Sequence, residues 1–196
     1  MAKRIFDIVF STIGILLLAP FFIIISLLIK LGSKGGMFFK QVRVGLNGKD
    51  FFLIKFRTMR PDSDKKGLLT VGHRDPRVTT IGYFLRKYKL DELPQLINVL
   101  KGDMSLVGPR PEVRKYVMLY NDEQLKVLKV KPGITDYASI LYSAESELLA
   151  KSNNPEKTYI EEIMPEKLKL NTKYILEAGV ATDIKIIFAT LVKIVR

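Results

Sequence analysis

Residues 8–29 read IVFSTIGILLLAPFFIIISLLI, 22 consecutive positions without a charge between Asp7 and Lys30. About 20 apolar residues suffice for a helix to cross the hydrocarbon core of a bilayer. The run exceeds the usual signal-peptide core of about 7–15 residues, and no small-x-small cleavage site follows it. Pro20 sits near its middle, where it removes one backbone hydrogen bond and kinks a helix. Cations flank both ends, with Lys3 and Arg4 before the run and Lys30 and Lys34 after it. The positive-inside tendency draws both flanks to the cytoplasmic side. Two forms satisfy the composition: a re-entrant helix that bends at Pro20 and returns, and a straight or mildly kinked span. A bend leaves carbonyls near Thr12 to Leu16 short of partners, which hydrocarbon penalises; Ser11, Thr12 and Ser26 are the hydroxyls at hand. Only the re-entrant form keeps both flanks on one side.

After Gly32 the composition turns polar, dividing the chain into a membrane-inserted unit, 1–34, and a polar domain, 35–196, which would carry any catalytic site. Phe38 to Val44 and Phe51 to Arg57 read as strands joined by Gly45-Leu46-Asn47-Gly48, where Asn-Gly is a strong hairpin signal. Alternation puts Phe52, Ile54 and Phe56 on one face of the second strand and Leu53, Lys55 and Arg57 on the other. Residues 58–80 read as loop, and Ile81 to Tyr88 as a short helix carrying Arg86 and Lys87. Leu93, Leu96, Ile97 and Leu100 recur at helical spacing, and Pro94 suits only a first turn, so Asp91 and Glu92 fall at or just before the helix start. There Asp91 serves either as a cap or as a reacting carboxylate beside backbone N–H groups that favour phosphate. Arg110 is fixed between Pro109 and Pro111, which suits a bidentate phosphate contact or simply a rigid loop. Glu112 to Lys131 reads as one helix ending at Pro132-Gly133, and Tyr159 to Tyr174 as a helix interrupted at Pro165. The tail from Asp183 to Arg196 is amphipathic and basic, made to lie on a membrane or to pack on the domain. The sum is an α+β fold, mostly helical: a membrane helix, a short β-hairpin and a compact helical domain with interfacial amphipathic helices.

Composition narrows the chemistry. Across 196 residues, 32 Lys and Arg against 20 Asp and Glu leave a net charge of +12, which favours phosphate-rich partners such as nucleotides and anionic lipid. No nucleic-acid-binding module is visible, so nucleic acid is not an expected partner. With no Cys and one His, thiolate chemistry and His-rich metal sites are excluded. His73 reads as a surface-loop residue within Gly72-His73-Arg74-Asp75-Pro76. Any catalysis here must therefore rest on carboxylates, Lys and Arg, with an oxygen-ligated ion the expected metal.

Taken together, Lys55-Phe56-Arg57-Thr58-Met59, Asp75-Pro76-Arg77-Val78-Thr79, Gly82 with Leu85-Arg86, Leu90 to Leu96, Gly102 to Pro111 and Lys131-Pro132-Gly133-Ile134-Thr135 resemble the bacterial sugar transferase family, the monotopic phosphoglycosyl transferases acting on polyprenol phosphate. The likeness covers nearly the whole chain and fits the small, catalytic-domain-only form, as in the bacillosamine-phosphate transferases of bacterial protein glycosylation. It implies transfer of a phosphosugar, N-acetylated by expectation, from a UDP-sugar to polyprenol phosphate with release of UMP. This would be the first membrane step of glycoconjugate assembly, at the cytoplasmic face of the bacterial plasma membrane. By the resemblance Asp91 is the nucleophile and Glu92 helps to hold Mg²⁺. Lys55, Arg57, Arg86 and Arg110 are the cations available for substrate phosphates, the bilayer is anionic, and a homodimer is admissible. The competing readings are a ternary-complex transferase, with Asp91 or Glu92 as base or metal ligand, and a non-catalytic basic membrane scaffold. Two departures stand out. The family's Ser-Pro pair at the bend is Ala19-Pro20 here, and Asp136-Tyr137-Ala138 replaces a Gly with a short apolar residue in a region that bears on sugar choice.

Overall fold

A computed structural model describes residues 1–61, 63, 67, 69–72 and 75–195, so His73 and the last residue of the amphipathic tail, Arg196, lie outside the described residues. Helix α1 spans Ala2–Gly32 and carries Pro20 inside it. The helix is not broken there, although the proline ring removes the N–H that would bond the Leu16 carbonyl. Thr12 donates instead to the Ile8 carbonyl at 2.8 Å, and the buried Ser11 hydroxyl has no partner. Asp7, Ser11, Ile25 and Ile29 are buried, with Gly14, Leu18 and Phe22 half-buried between them. Steps of three and four place these residues on one helix face. That face lies on the domain, while Ile13, Leu16, Leu17, Phe21, Ile24 and Leu28 stand exposed on the rest of the helix.

Polar contacts fasten both ends of α1. Arg4 donates to the carbonyls of Val99 (2.6 Å) and Leu100 (2.9 Å), where a helix C-terminus welcomes a cation. Asp7 accepts from the Ser105 hydroxyl and the Leu106 amide, both at 3.0 Å. Lys3 pairs with the buried Asp183 and donates to the Val107 carbonyl at 3.0 Å. At the other end, Arg57 donates to the carbonyls of Ser33 (2.9 Å) and Lys34 (2.8 Å).

Strands β1, Phe38–Val44, and β2, Asp50–Phe56, pair antiparallel, with Phe38 opposite Phe56 and Val44 opposite Asp50. Asn47 (φ 55°) and Gly48 (φ 73°) make the turn that the dipeptide announces. Phe56 packs with Ile25, Ile29 and Leu85; Leu53, on the other face of the hairpin, packs with Val99 and Met104. Helix α2, Thr80–Lys87, is capped by the Thr79 hydroxyl, which accepts from the Gly82 amide at 3.0 Å. Helix α3 is Gln95–Lys101. The stretch from Gly102 to Pro111 contains β3, Ser105–Val107, parallel to β4, Gly133–Thr135.

The single helix expected over 112–131 is instead two short ones, α4, Arg114–Val117, and α5, Asp122–Leu125, followed by a 3-10 turn, Lys126–Lys129. Asn121 and Gln124 form a capping box, a helix start placed inside the expected helix. Helices α6 (Tyr137–Leu141), α7 (Glu145–Ala150) and α8 (Pro155–Thr158) lead to a π-helical turn, Tyr159–Ile163, and to α9, Met164–Glu177. Pro165 lies in the first turn of α9, where no N–H is needed; the irregularity expected at it is the π turn just before. In α10, Val180–Val195, Asp183 and Ile186 are buried, while Ile184, Phe188 and Leu191 are exposed. The apolar face of this helix thus points outward, and a narrower edge docks it. Val113, Tyr116, Val127, Leu149, Tyr159 and Leu168 belong to the main core cluster.

Candidate active site

Lys89 adopts the left-handed conformation (φ 54°) and turns the end of α2 into a single 3-10 turn, Leu90–Glu92, ahead of α3. Leu90 packs onto the cluster of Ile25, Ile29 and Leu85, so α1 underlies the turn. Asp91 is 7% exposed and accepts no hydrogen bond from any described residue. Burial pushes its pKa up, the neighbouring Glu92 charge adds to this, and Lys55, Arg86 and Lys89 pull partly back.

Glu92 is the opposite case. Lys55 Nζ donates to it at 2.7 Å, and the Arg110 guanidinium grips both oxygens, Nη1 to Oε2 at 3.0 Å and Nη2 to Oε1. Burial opposes its ionisation, but Arg110 and Lys55 outweigh that and hold it well below the usual carboxylate range. Burial also lowers the pKa of Lys55, against the pull of Glu92. Arg86 donates to the Thr70 hydroxyl at 2.8 Å, and its buried Nη1 has no partner among the described residues; its charge is felt at Asp91. The structure therefore gathers Lys55, Arg86 and Arg110 around Asp91 and Glu92. Arg57 is directed elsewhere, its guanidinium closing the C-terminal end of α1.

Arg110 is held from its backbone as well. Its amide donates at 3.3 Å to Asp136, a fully buried carboxylate that also accepts from the Ser139 amide and so caps α6. Gly133 donates to the Pro109 carbonyl at 3.0 Å, and a Cβ on Gly133 would stand 2.0 Å from the Gly108 nitrogen, so only glycine admits this approach. Arg43 and Glu112 line the same region without having stood out in the sequence. A signal for Arg43 existed: the Asn47-Gly48 turn sets the strand register, which puts Gln41 and Arg43 on the hairpin face of Leu53 and Lys55. Among the described residues, no three carboxylate or imidazole side chains converge as a metal cluster.

The family model described as bacterial sugar transferase matches residues 1–196. The chain is 39% identical over 201 residues to the UDP-glucose:undecaprenyl-phosphate glucose-1-phosphate transferase of Escherichia coli K12, covering 98% of this chain and 40% of that protein. It is 34% identical to the exopolysaccharide production protein ExoY of Rhizobium meliloti, covering 97% of this chain and 84% of that one. It is 42% identical over 150 residues, 74% of this chain and 36% of the relative, to the UDP-N-acetylgalactosamine-undecaprenyl-phosphate N-acetylgalactosaminephosphotransferase of Aeromonas hydrophila. The chain thus spans well under half the length of the Escherichia and Aeromonas relatives and most of ExoY. On these grounds it belongs to the bacterial sugar transferase family.

Proposed function

We propose that the chain transfers a phosphosugar from a UDP-sugar to polyprenol phosphate, with Asp91 as a covalent nucleophile. The observation that carries this reading is a buried carboxylate with no hydrogen bond from any described residue, set beside a second carboxylate that two cations have neutralised. An Asp91 oxygen attacks the sugar-linked phosphorus, the bond to the bridging oxygen breaks, and UMP leaves with that electron pair. The aspartyl phosphosugar is then attacked at phosphorus by an oxygen of polyprenol phosphate, which restores Asp91 and yields a lipid diphosphosugar. Charge is the barrier to both steps, and the cations Arg110, Lys55 and Arg86 would offset it.

Arg110 meets the diphosphate by exchanging part of its grip on Glu92 for phosphate oxygens, a geometry its planar fork suits. The donor set fits Mg²⁺ only together with substrate: Glu92 would supply one oxygen and the phosphates others, as this ion prefers. When bound, the ion neutralises the diphosphate. Full turnover in excess EDTA would remove it from the reaction.

The acceptor reaches Asp91 from the bilayer side. An open cavity of about 420 Å³ lined by Gly32, Thr79, Thr80, Ile81 and Phe84 lies where α1 meets α2, and Ile81 and Leu90 pack on one cluster. Since both ends of α1 are tied to the domain, we read the helix as re-entrant and the domain as lying on the cytoplasmic face, where UDP-sugars are made. The relatives' names include both a glucose and an N-acetylgalactosamine enzyme, so the N-acetylated donor is tested against UDP-glucose. The decisive experiment incubates the protein with each UDP-sugar without lipid. UMP release of one equivalent and a phosphosugar adduct on the Asp91 peptide are expected. UMP release that waits for the acceptor, with no adduct, would establish the ternary-complex route instead.

A further inference from the structure

We propose that Glu112, clasped by Arg43 and Tyr159, is a positioning residue for Arg110. The proposal rests on the phosphate contact assigned to Arg110 above. Glu112 follows Pro111 directly and turns inward. Its Oε1 accepts from Arg43 Nη1 at 3.0 Å and from the Val113 amide at 2.9 Å, and its Oε2 accepts from the Tyr159 hydroxyl at 2.6 Å. Arg43 Nη1 also donates to the Pro111 carbonyl at 3.2 Å, while Nε and Nη2 donate to Gln41 Oε1 at 3.2 and 2.8 Å. The Glu112 carbonyl accepts from the Val44 amide at 2.9 Å. The segment just after Arg110 is thereby fastened to β1 by backbone and side chain, and to the π turn by Tyr159. Such turns recur at functional sites. Tyr159 itself is pinned, 2% exposed, with its ring 4.9 Å from that of Tyr116.

The charges explain why a brace is needed. Arg43 and Arg110 act on each other as like charges, and Arg43 also feels Glu92. Two guanidinium groups share one half-buried region, and each has its own carboxylate, Glu112 for Arg43 and Glu92 for Arg110. Remove the Glu112 charge and Arg43 is left to compete for Glu92, the carboxylate that orients Arg110. Loss of Glu112 therefore acts at the phosphate site through Arg110, although Glu112 need not touch substrate.

The test measures kcat and KM for UDP-sugar in the full-length protein, comparing wild type, Glu112→Gln, Tyr159→Phe and Arg110→Lys with the double variants Glu112→Gln/Arg110→Lys and Tyr159→Phe/Arg110→Lys. Hydrogen bonds to charged groups of this kind correspond to changes of about 10-fold or more. Glu112→Gln should lower kcat/KM about 10-fold, and Tyr159→Phe, which keeps the ring, should do so more weakly. Glu112→Asp should restore part of the loss. In the Arg110→Lys background both changes should shrink to less than about twofold, since the group they position is gone. Equal factors in both backgrounds, or no recovery in Glu112→Asp, would overturn the positioning role while leaving Arg110 as a phosphate ligand. If Arg110→Lys itself behaved as wild type, the phosphate contact would fail, and the brace with it. Should Glu112→Gln not fold, Tyr159→Phe carries the same comparison.

Discussion

At Asp91 the chain holds a carboxylate 7% exposed, with no hydrogen bond from a described residue, an arrangement that favours reaction over stability. Its folded pKa is raised, so the native state binds this proton more tightly than the unfolded chain does. That stabilising contribution is present below the unfolded pKa and is lost as pH rises through the folded value. Asp91→Asn should therefore raise the melting temperature near neutral pH, with the gain shrinking in acid, while turnover falls by several orders of magnitude. A lower melting temperature at pH 7 would show that the buried charge is not a liability. If Asp91 is the nucleophile it attacks ionised, so the same shift should move the acid limb of the kcat/KM profile upward from that of an unperturbed aspartate. Glu92 behaves oppositely. Its pKa is held down, so its contribution is present above the unfolded pKa and is lost as pH falls through the folded one. Glu92→Gln strands Lys55 and Arg110 beside an uncharged partner and should destabilise by about 3–5 kcal/mol. Urea denaturation checks this; a loss under about 1 kcal/mol would mean the cations find water instead.

The loop that carries Arg110 is secured by an element too small to announce itself. A substitution Gly133→Ala would drive a methyl group to 2.0 Å from the Gly108 nitrogen, prising β4 from β3. Misplacement by about 1 Å can cost on the order of 100-fold in rate, so kcat/KM for the UDP-sugar should fall by about 10- to 100-fold. Retained activity would show that the loop relaxes without moving Arg110. The hairpin was legible because alternation and an Asn-Gly turn are local signals, and Asp91 and Glu92 could be put just ahead of α3 because Pro94 suits only a helix start. The separate 3-10 turn that holds them, and Pro94 as the cap of α3 rather than a residue of its first turn, carried no signal. Strands β3 and β4 have three residues each, too few for a period, and their pairing depends on residues about 28 apart in sequence. The helix expected over 112–131 failed because its apolar residues answer to packing against α9 and the π turn, whereas Asn121 imposes a new start. The role of Arg57 was invisible for a different reason: alternation reports the face a side chain leaves from, and its partners, the carbonyls after Ile29, belong to a distant segment.

For the molecule as a whole, the decisive fact is that one face of α1 rests on the domain along most of its length. A straight helix of 31 residues is about 46 Å long, enough to cross a hydrocarbon core of about 30 Å. A span would put lipid where Ile29 meets Phe56 and Leu85, and would carry Lys3, Arg4 and Asp7 away from Asp183, Val99 and Ser105. Those groups would enter or cross the bilayer stripped of partners, at several kcal/mol each. The exposed apolar residues of α1 and of α10 instead offer one-sided immersion, with Lys185 and Lys193 on α10 suited to anionic headgroups. Both ends of α1 should then lie on the cytoplasmic side. The chain contains no cysteine, so Ala2→Cys and Gly36→Cys each introduce a single thiol. In intact cells an impermeant thiol reagent should label neither, and both should label after the membrane is opened. Pro20→Leu restores the hydrogen bond to Leu16 and favours a straighter helix, so a fraction of Ala2→Cys should become reachable from outside. That fraction should grow when Asp183→Asn cuts the tie to Lys3. Labelling of Ala2→Cys but not Gly36→Cys in the otherwise unaltered protein would establish a span and remove the re-entrant arrangement, together with the lipid approach to Asp91 built on it.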